Sequence, residues 1–321
     1  MGIKKIAILT SGGDAPGMNS AIKAIVDKAL DVGLEPYLVY EGYKGLVAGN
    51  FKKATKQEVK FFNNLSGTAI YSARLPEFAK KEVRQLAVDK LNKEGIDALI
   101  VIGGDGSYMG AAKLDEMGIK TIGLPGTIDN DIAATDYTIG FSSALNYIIK
   151  AIEAARSTSE SHMRCNIIET MGRDKGDLAL YAAIATGAEV LSIPERILSV
   201  DEIAMQIKEV RALGNRSIIV VITENHFGDV HQLAKKLQQK TGVEIKATQL
   251  GHPQRGGPVT AEDRLLASAM GVFAVNKLLE GETGVAVNLV NNKLSTKDIL
   301  EVVKMKNAPV DELLEIYDAI K

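Results

Sequence analysis

Three polar clusters, each placed just after an apolar run, have the residue types and spacing that phosphate chemistry needs. The first is TSGGDAPGMN, Thr10 to Asn19, where adjacent glycines let the backbone approach a ligand closely and a following helix start offers N–H groups to an anion. It is not a Walker A loop, because Met18 and Asn19 stand where Lys and Ser or Thr belong. A glycine-rich turn here is also an ordinary packing device. The second is GGDGS, Gly103 to Ser107, whose Gly104, Gly106 and Gly110 mimic a dinucleotide fingerprint. Against that, the next strand, Lys120 to Gly123, lacks an acidic tip to bind a ribose. Asp105 is the telling residue: a carboxylate among phosphate-cradling amides repels phosphates unless a divalent cation lies between, and Mg²⁺ is commonly held by one carboxylate plus phosphate oxygens. The alternative is that Asp105 caps the helix that begins near Ser107.

The third cluster is PGTIDND, Pro125 to Asp131. In an extended loop residues i and i+2 point the same way, so Asp129 and Asp131 are expected to converge, with Thr127 beside them. Such a pair splits its pKa values or shares a metal, and either prepares a base for proton abstraction. An Asx-rich turn would account for Asn130 and one Asp without chemistry. Arginines recur in loops: Arg74 in SAR, Arg164 in SHMR, Arg173 in IETMGR and Arg255 in GHPQRGG. Arg173 and Arg255 sit beside glycines, where a guanidinium can grip a phosphate with two parallel bonds. His252 can donate to an anion or hydroxyl, and Glu224 ends the run SIIVVITE, where an acceptor can read a sugar hydroxyl.

These clusters need strands to position them. Short β-branched runs alternating with helical patterns predict an α/β fold with covered parallel sheets. Expected strands are 3–9, 35–40, 97–102, 120–123, 165–169, 217–223, 244–248 and 284–288, several of them continuously apolar, as strands buried on both faces should be. Expected helices are 18–32, 80–93, 107–117, 142–157, 200–213, 230–240 and 261–279, with Ile148, Ala151, Ala154 and Ala155 as the buried face of the fourth. The length of 321 residues predicts two domains, with a boundary near residue 140.

Composition narrows the partners. With 38 basic and 40 acidic residues the net charge is −2, so no global field favours nucleic acid or an anionic membrane. Cys165 is the only cysteine, which excludes an internal disulfide framework and a multi-cysteine zinc site, and fits a reducing cytoplasm. The sequence MGIKKIAILTSGG is too briefly apolar for an export signal or membrane span.

Taken in order, TSGGDAPGMN, SAR, IGGDGS, PGTIDND, MGR and GHPQRGG resemble the bacterial ATP-dependent 6-phosphofructokinases from end to end, in spacing as well as in string. The resemblance implies a glycolytic, allosteric homotetramer of two similar three-layer α/β domains with mainly parallel sheets, the phosphofructokinase fold, and an active site between them. It implies domains at 1–140 with 254–304 for ATP and 141–253 with 305–321 for the sugar phosphate. The reaction would carry the γ-phosphoryl of MgATP to the 1-hydroxyl of fructose 6-phosphate, giving fructose 1,6-bisphosphate and ADP. Carried over position by position, Asp129 is the base, Thr127 and Asp131 shape its loop, and Asp105 serves Mg²⁺. Gly13, Arg74, Leu75, Gly104, Asp105, Gly106 and Ser107 hold ATP. Thr127, Ile128, Asp129, Met171, Gly172, Arg173, Glu224, His252 and Arg255 hold the sugar, while Arg164 and Lys246 reach it from a neighbouring subunit. Arg173 also faces the charge of the transferring group.

The chain departs from the pattern in places. Lys246 stands for the usual Arg, and Tyr71 for a small residue. Lys23, Lys56, Arg156 and Glu189 fit the family's effector site, whereas Asp27, Leu213 and Asn215 stand where cations are common, so inhibition by phosphoenolpyruvate should be weak or absent. Pyrophosphate-using relatives carry Asp at the position of Gly106 and Lys at that of Gly126, so the glycines favour ATP. The rival readings are a catalytically silent sugar-phosphate or nucleotide sensor, a pyrophosphate-dependent relative, and a kinase of the same motif type with another acceptor.

Overall fold

A computed structural model describes residues 2–321. The chain runs β1 (Lys5–Thr10), α1 (Met18–Asp31), β2 (Glu35–Val39), α2 (Gly42–Ala48), β3 (Phe51–Lys53), α3 (Lys56–Val59), α4 (Lys81–Glu94), β4 (Ala98–Gly103), α5 (Asp105–Asp115), β5 (Lys120–Thr127) and β6 (Ile139–Gly140). It continues through α6 (Phe141–His162), β7 (Cys165–Thr170), α7 (Asp177–Thr186), β8 (Val190–Ser192), α8 (Val200–Ala212), β9 (Ile218–Thr223), α9 (Val230–Thr241) and β10 (Ile245–Gln249). Last come α10 (Ala261–Glu280), β11 (Val285–Val290), β12 (Lys293–Asp298), α11 (Ile299–Lys304) and α12 (Asp311–Ile320).

The chain folds as two compact units, Met1–Ser142 with Pro258–Asn307, and Ser143–Gly257 with Ala308–Lys321. Residues 254–257 fall in the second unit, where Gln254 bonds Met171 and Gly251 and where Gly257 lies against Tyr147.

The first unit is built on the order β12-β11-β5-β4-β1-β2-β3, with β6 beside β5. The central pairs β5/β4, β4/β1 and β1/β2 are parallel, and only the edges β12 and β3 run antiparallel to their neighbours. β4 is buried at every residue, as its unbroken apolar run requires. On one face Leu99 and Val101 pack with Tyr43, Leu91, Tyr108 and Ile299. On another side of the unit α1 packs along α10, closely enough that a Cβ on Gly271 would lie 2.9 Å from the Ala21 carbonyl.

The second unit is the sheet β10-β7-β9-β8, parallel throughout. Cys165, Ile167, Val220 and Ile222 meet Ile203 and Ile207 of α8 and Leu233 and Leu237 of α9. Ser199 and Glu202 form a reciprocal capping box at the start of α8, and Asp229 caps α9.

Several expectations need correction. The strand expected at 120–123 runs to Thr127, so Pro125, Gly126 and Thr127 are buried sheet and not loop. Pro125 sits at the paired end of the strand, where its missing N–H costs little. Asp105 does not cap a helix at Ser107: α5 starts at Asp105 itself, with Gly104 before it and no side-chain cap. In α6 the buried residues include Ala144, Ile148 and Ile152, whereas Ala154 is exposed, because alanine marks no face by itself.

Candidate active site

Parallel neighbours in a sheet deliver their carboxyl ends to one edge. Thr10 of β1 pairs with Ile102 of β4, and Gly103 of β4 pairs with Pro125 of β5, so the loops Thr10–Gly13, Gly103–Ser107 and Thr127–Asp131 emerge side by side. Cross-bonds then fix them. The Ser11 amide donates to the Ile102 carbonyl at 3.0 Å, Thr10 Oγ1 to the Tyr71 carbonyl at 2.9 Å, and Ser72 Oγ to the Gly12 carbonyl at 2.7 Å. This joins the Arg74–Leu75 segment to the first loop; Arg74 is exposed, and Leu75 packs in part against the core.

Gly103 has no room for a side chain: a Cβ there would sit 2.4 Å from Ser107 Oγ and 2.6 Å from the Ser11 carbonyl. A Cβ on Gly106 would meet nothing within 4 Å, which leaves open space at the first turn of α5. That turn presents uncapped amides and the positive end of the helix. Tyr43, which sequence reasoning missed, donates its buried hydroxyl to the Ser107 carbonyl at 2.6 Å and braces the turn from behind. A Cβ on Gly126 would lie 2.9 Å from both Ile102 Cγ2 and Met18 Cε, so this glycine is demanded by packing as well as by any nucleotide. Tyr71 takes φ +63° with its side chain exposed and its ring 5.9 Å from Tyr40; nothing in the structure explains the tyrosine.

The carboxylates are arranged differently from the simple alternation expected. Asn130 adopts φ +52°, so the loop turns between Asp129 and Asp131 and the extended-chain argument does not hold. Asn130 Oδ1 accepts from the Thr138 amide at 3.0 Å, which holds the turn. Asp129 is buried, 2% exposed, with its amide donating to Thr127 Oγ1 at 3.2 Å, and Thr138 Oγ1 donates to the Thr127 carbonyl at 2.7 Å. Ile128 is wholly buried. Asp131 lies close enough to Asp105 to be felt by it, and its Oδ1 is buried without a hydrogen-bond partner.

Asp105 itself reaches solvent, yet loss of hydration and then repulsion by Asp131 push its pKa up to about 6. Those effects outweigh the helix N-terminus, which would lower it. The pairing invites a cation. Among the described residues no three His, Cys, Asp or Glu side chains gather into a metal cage. Two carboxylates beside an uncapped helix start suit Mg²⁺, which takes few protein ligands and completes its shell with water or other oxygen donors.

A carboxyl whose folded pKa is raised contributes stability that is present in acid and is lost as pH rises through about 6. Asp105→Asn therefore melts higher than the parent in metal-free buffer at pH 7.5, and the gap closes by pH 4.5. Scanning calorimetry at the two pH values checks this; an equal gap at both contradicts it.

The second unit repeats the pattern of paired strand ends. Glu169 pairs with Gln249 and Thr170 with Thr223, so β10, β7 and β9 bring their ends together and with them Met171–Arg173, Glu224 and the turn His252–Arg255. Gly172 has φ +141°, and a Cβ on it would strike the Lys175 carbonyl at 2.4 Å. Arg173 is exposed at φ +54°, a left-handed conformation that is unfavourable for a long side chain and that gathers at functional sites. Met171 and Arg255 are buried, and His252 is exposed. Arg164 and Lys246 converge on one carboxylate: Glu244 Oε1 is 2.9 Å from Arg164 Nε and 3.1 Å from Lys246 Nζ, and these cations, Arg164 first, hold Glu244 below the usual carboxylate range.

Residues 5–278 match the phosphofructokinase family. The chain belongs to that family. It is 49% identical over 319 residues to the ATP-dependent 6-phosphofructokinase of Tolumonas auensis, covering 99% of each chain. Its fold is similar to that of the phosphofructokinase structure from Saccharomyces cerevisiae, with a TM-score of 0.87 and 37% identity over 98% of this chain. The chain spans 47% of that longer yeast chain. A pyrophosphate-dependent phosphofructokinase from Marinobacter aquaeolei reaches the same TM-score, 0.87, at 23% identity over 96% of this chain and 86% of its own. The phosphofructokinase fold is therefore shared across phosphoryl donors and does not choose between them.

The residues expected to bind an effector fall in both units of this phosphofructokinase. Lys23, Asp27 and Lys56 line a pocket of about 730 Å³ in the first unit, and Lys23 is ion-paired to Asp27 one turn along α1. In the second unit Arg156 Nη1 is 2.6 Å from Glu189 Oε1, and Arg156 Nη2 donates to the Gly187 carbonyl at 2.9 Å. Leu213 is 82% exposed. Among the described residues no helix is long and apolar enough to cross a membrane.

Proposed function

We infer that this chain is an ATP-dependent 6-phosphofructokinase, which transfers the γ-phosphoryl of ATP to the 1-hydroxyl of fructose 6-phosphate. The observation that carries the reading is that the loop bearing Asp129 and Asp131 and the uncapped start of α5 leave adjacent paired strands, with Asp131 felt by Asp105, in a chain so similar to enzymes of that name. A phosphoryl group passing through a loose transition state needs position and charge neutralisation more than covalent help.

In this reading the α5 amides and Gly13 hold the nucleotide phosphates, with Arg74 and Leu75 against the nucleoside. Asp105, aided by Asp131, would hold Mg²⁺, which when bound neutralises charge shared between the β- and γ-phosphates. Asp129 takes the proton of the sugar's 1-hydroxyl as that oxygen bonds to the γ-phosphorus and the bond to the ADP oxygen breaks. Thr127 fixes the start of the base's loop. Arg173 neutralises the migrating group. Met171 and Gly172 by their backbone, with Glu224, His252 and Arg255, hold the sugar, and Arg164 with Lys246 takes the 6-phosphate from a neighbouring protomer of a homotetramer. ATP is favoured over pyrophosphate by the open space at Gly106. A coupled assay tests the donor: product accumulates with MgATP, and turnover with pyrophosphate alone overturns the reading. We place this glycolytic step in the cytoplasm.

Regulation differs from the family's habit. The ion pair that Asp27 makes with Lys23 occupies a cation an anionic effector would need. Inhibition by phosphoenolpyruvate is accordingly weak or absent in the parent, and Asp27→Arg strengthens effector binding by about tenfold, the worth of one charge-assisted bond. Sigmoidal inhibition of the parent at sub-millimolar effector contradicts this.

A further inference from the structure

We propose that Gln254 is a positioning residue that ties together the two loops of the sugar-phosphate arm, Met171–Arg173 and His252–Arg255. The proposal rests on reading the second unit as the sugar-phosphate side. Gln254 is 0% exposed. Its Oε1 accepts from the Met171 amide at 3.2 Å and its Nε2 donates to the Gly251 carbonyl at 2.9 Å. One partner is a donor and the other an acceptor, so only one orientation of the side-chain amide satisfies both.

The position of these bonds gives them their importance. The β10–β7 register ends at the Gln249–Glu169 pair, followed by one further bond from the Leu250 amide to the Glu169 carbonyl at 3.0 Å. Two residues on, the Met171 amide turns to the Gln254 side chain instead of a strand. Both loops hold uncommon backbone from that point: Gly251 at φ +52°, Gly172 at φ +141° and Arg173 at φ +54°. Such conformations persist only when the surroundings fix them. Gln254 lies within the turn that carries His252 and Arg255, so the same amide that holds Met171 also sets where those two basic residues stand.

Binding of fructose 6-phosphate by the intact protein tests this, read by calorimetry without nucleotide and by KM in turnover. The parent is measured first: if it does not bind the sugar phosphate, the reading of the second unit fails and the proposal with it. Given parental binding, Gln254→Ala raises Kd and KM for fructose 6-phosphate by about tenfold or more, the scale of a buried donor left unpaired, while KM for MgATP stays within about twofold. Gln254→Glu gives the sharper readout. Ionised, it faces the Gly251 carbonyl without a proton; protonated, it reproduces both bonds of the amide. Its affinity for the sugar phosphate, relative to the parent at each pH, is therefore poor at pH 8.5 and recovers several-fold by pH 6. If Gln254→Ala does not fold, this recovery decides the matter. Parental affinity in both variants, or an equal loss for both substrates with no recovery in acid, overturns the proposal.

Discussion

Replacing Asp129 by Asn lowers kcat by about 10²- to 10⁴-fold and leaves the KM values for both substrates within a few-fold, because a positioned general base contributes on that scale and the amide keeps the shape. The size of the loss comes from the site's construction. Asp129 is buried, and its loop is pinned by Thr127, Asn130 and Thr138, so no solvent carboxylate can take over. Steady-state kinetics with both substrates varied separates the two outcomes. A raised KM with unchanged kcat would mean that Asp129 only grips the sugar, since uniform binding alters KM and not the chemical step.

Arg173→Ala is expected to cost about 10³-fold or more in kcat, the scale on which an arginine facing a transferring phosphoryl group acts. Arg173→Lys recovers only part of this, because the ammonium keeps the charge and loses the planar fork. The left-handed backbone at Arg173 allows a control. Arg173→Gly suits φ +54° and so keeps or raises the melting temperature, yet it is as inactive as the alanine variant. Activity that followed melting temperature across the three variants, and not side-chain charge, would assign Arg173 to the fold alone.

The parts of the fold legible in the sequence are those whose burial leaves an apolar signature. β4 and β9 are unbroken apolar runs and lie at the centre of their sheets. β12, KLSTKD, is a mostly polar edge strand with no such mark, and β8 is three residues long. α7, DLALYAAIAT, is apolar on nearly every side, so no 3.6-residue period announces it; Leu178, Leu180 and Ala183 are all buried. The short α2 carries glycine at Gly42 and Gly45, and only tertiary contact makes it a helix.

The candidate site was legible as residue types and illegible as geometry. PGTIDND and GGDGS announce carboxylates and open amides after strands, and the strand order puts them on one edge. That Asp131 couples to Asp105 instead of repeating Asp129 depends on one backbone angle at Asn130 that spacing cannot reveal. Tyr43 and Gln254 were missed because each acts through main-chain atoms far away in sequence, Ser107 and Met171. The signal was present in Gln254, a polar side chain inside a glycine-rich basic turn.

The most direct measurement is a crystal structure of the protein with fructose 6-phosphate and a non-hydrolysable MgATP analogue. The account predicts an Asp129 carboxylate oxygen about 2.6–3.2 Å from the sugar's 1-hydroxyl oxygen, with that oxygen aimed at the γ-phosphorus. A 1-hydroxyl held by another residue, with Asp129 beyond hydrogen-bond reach, contradicts it.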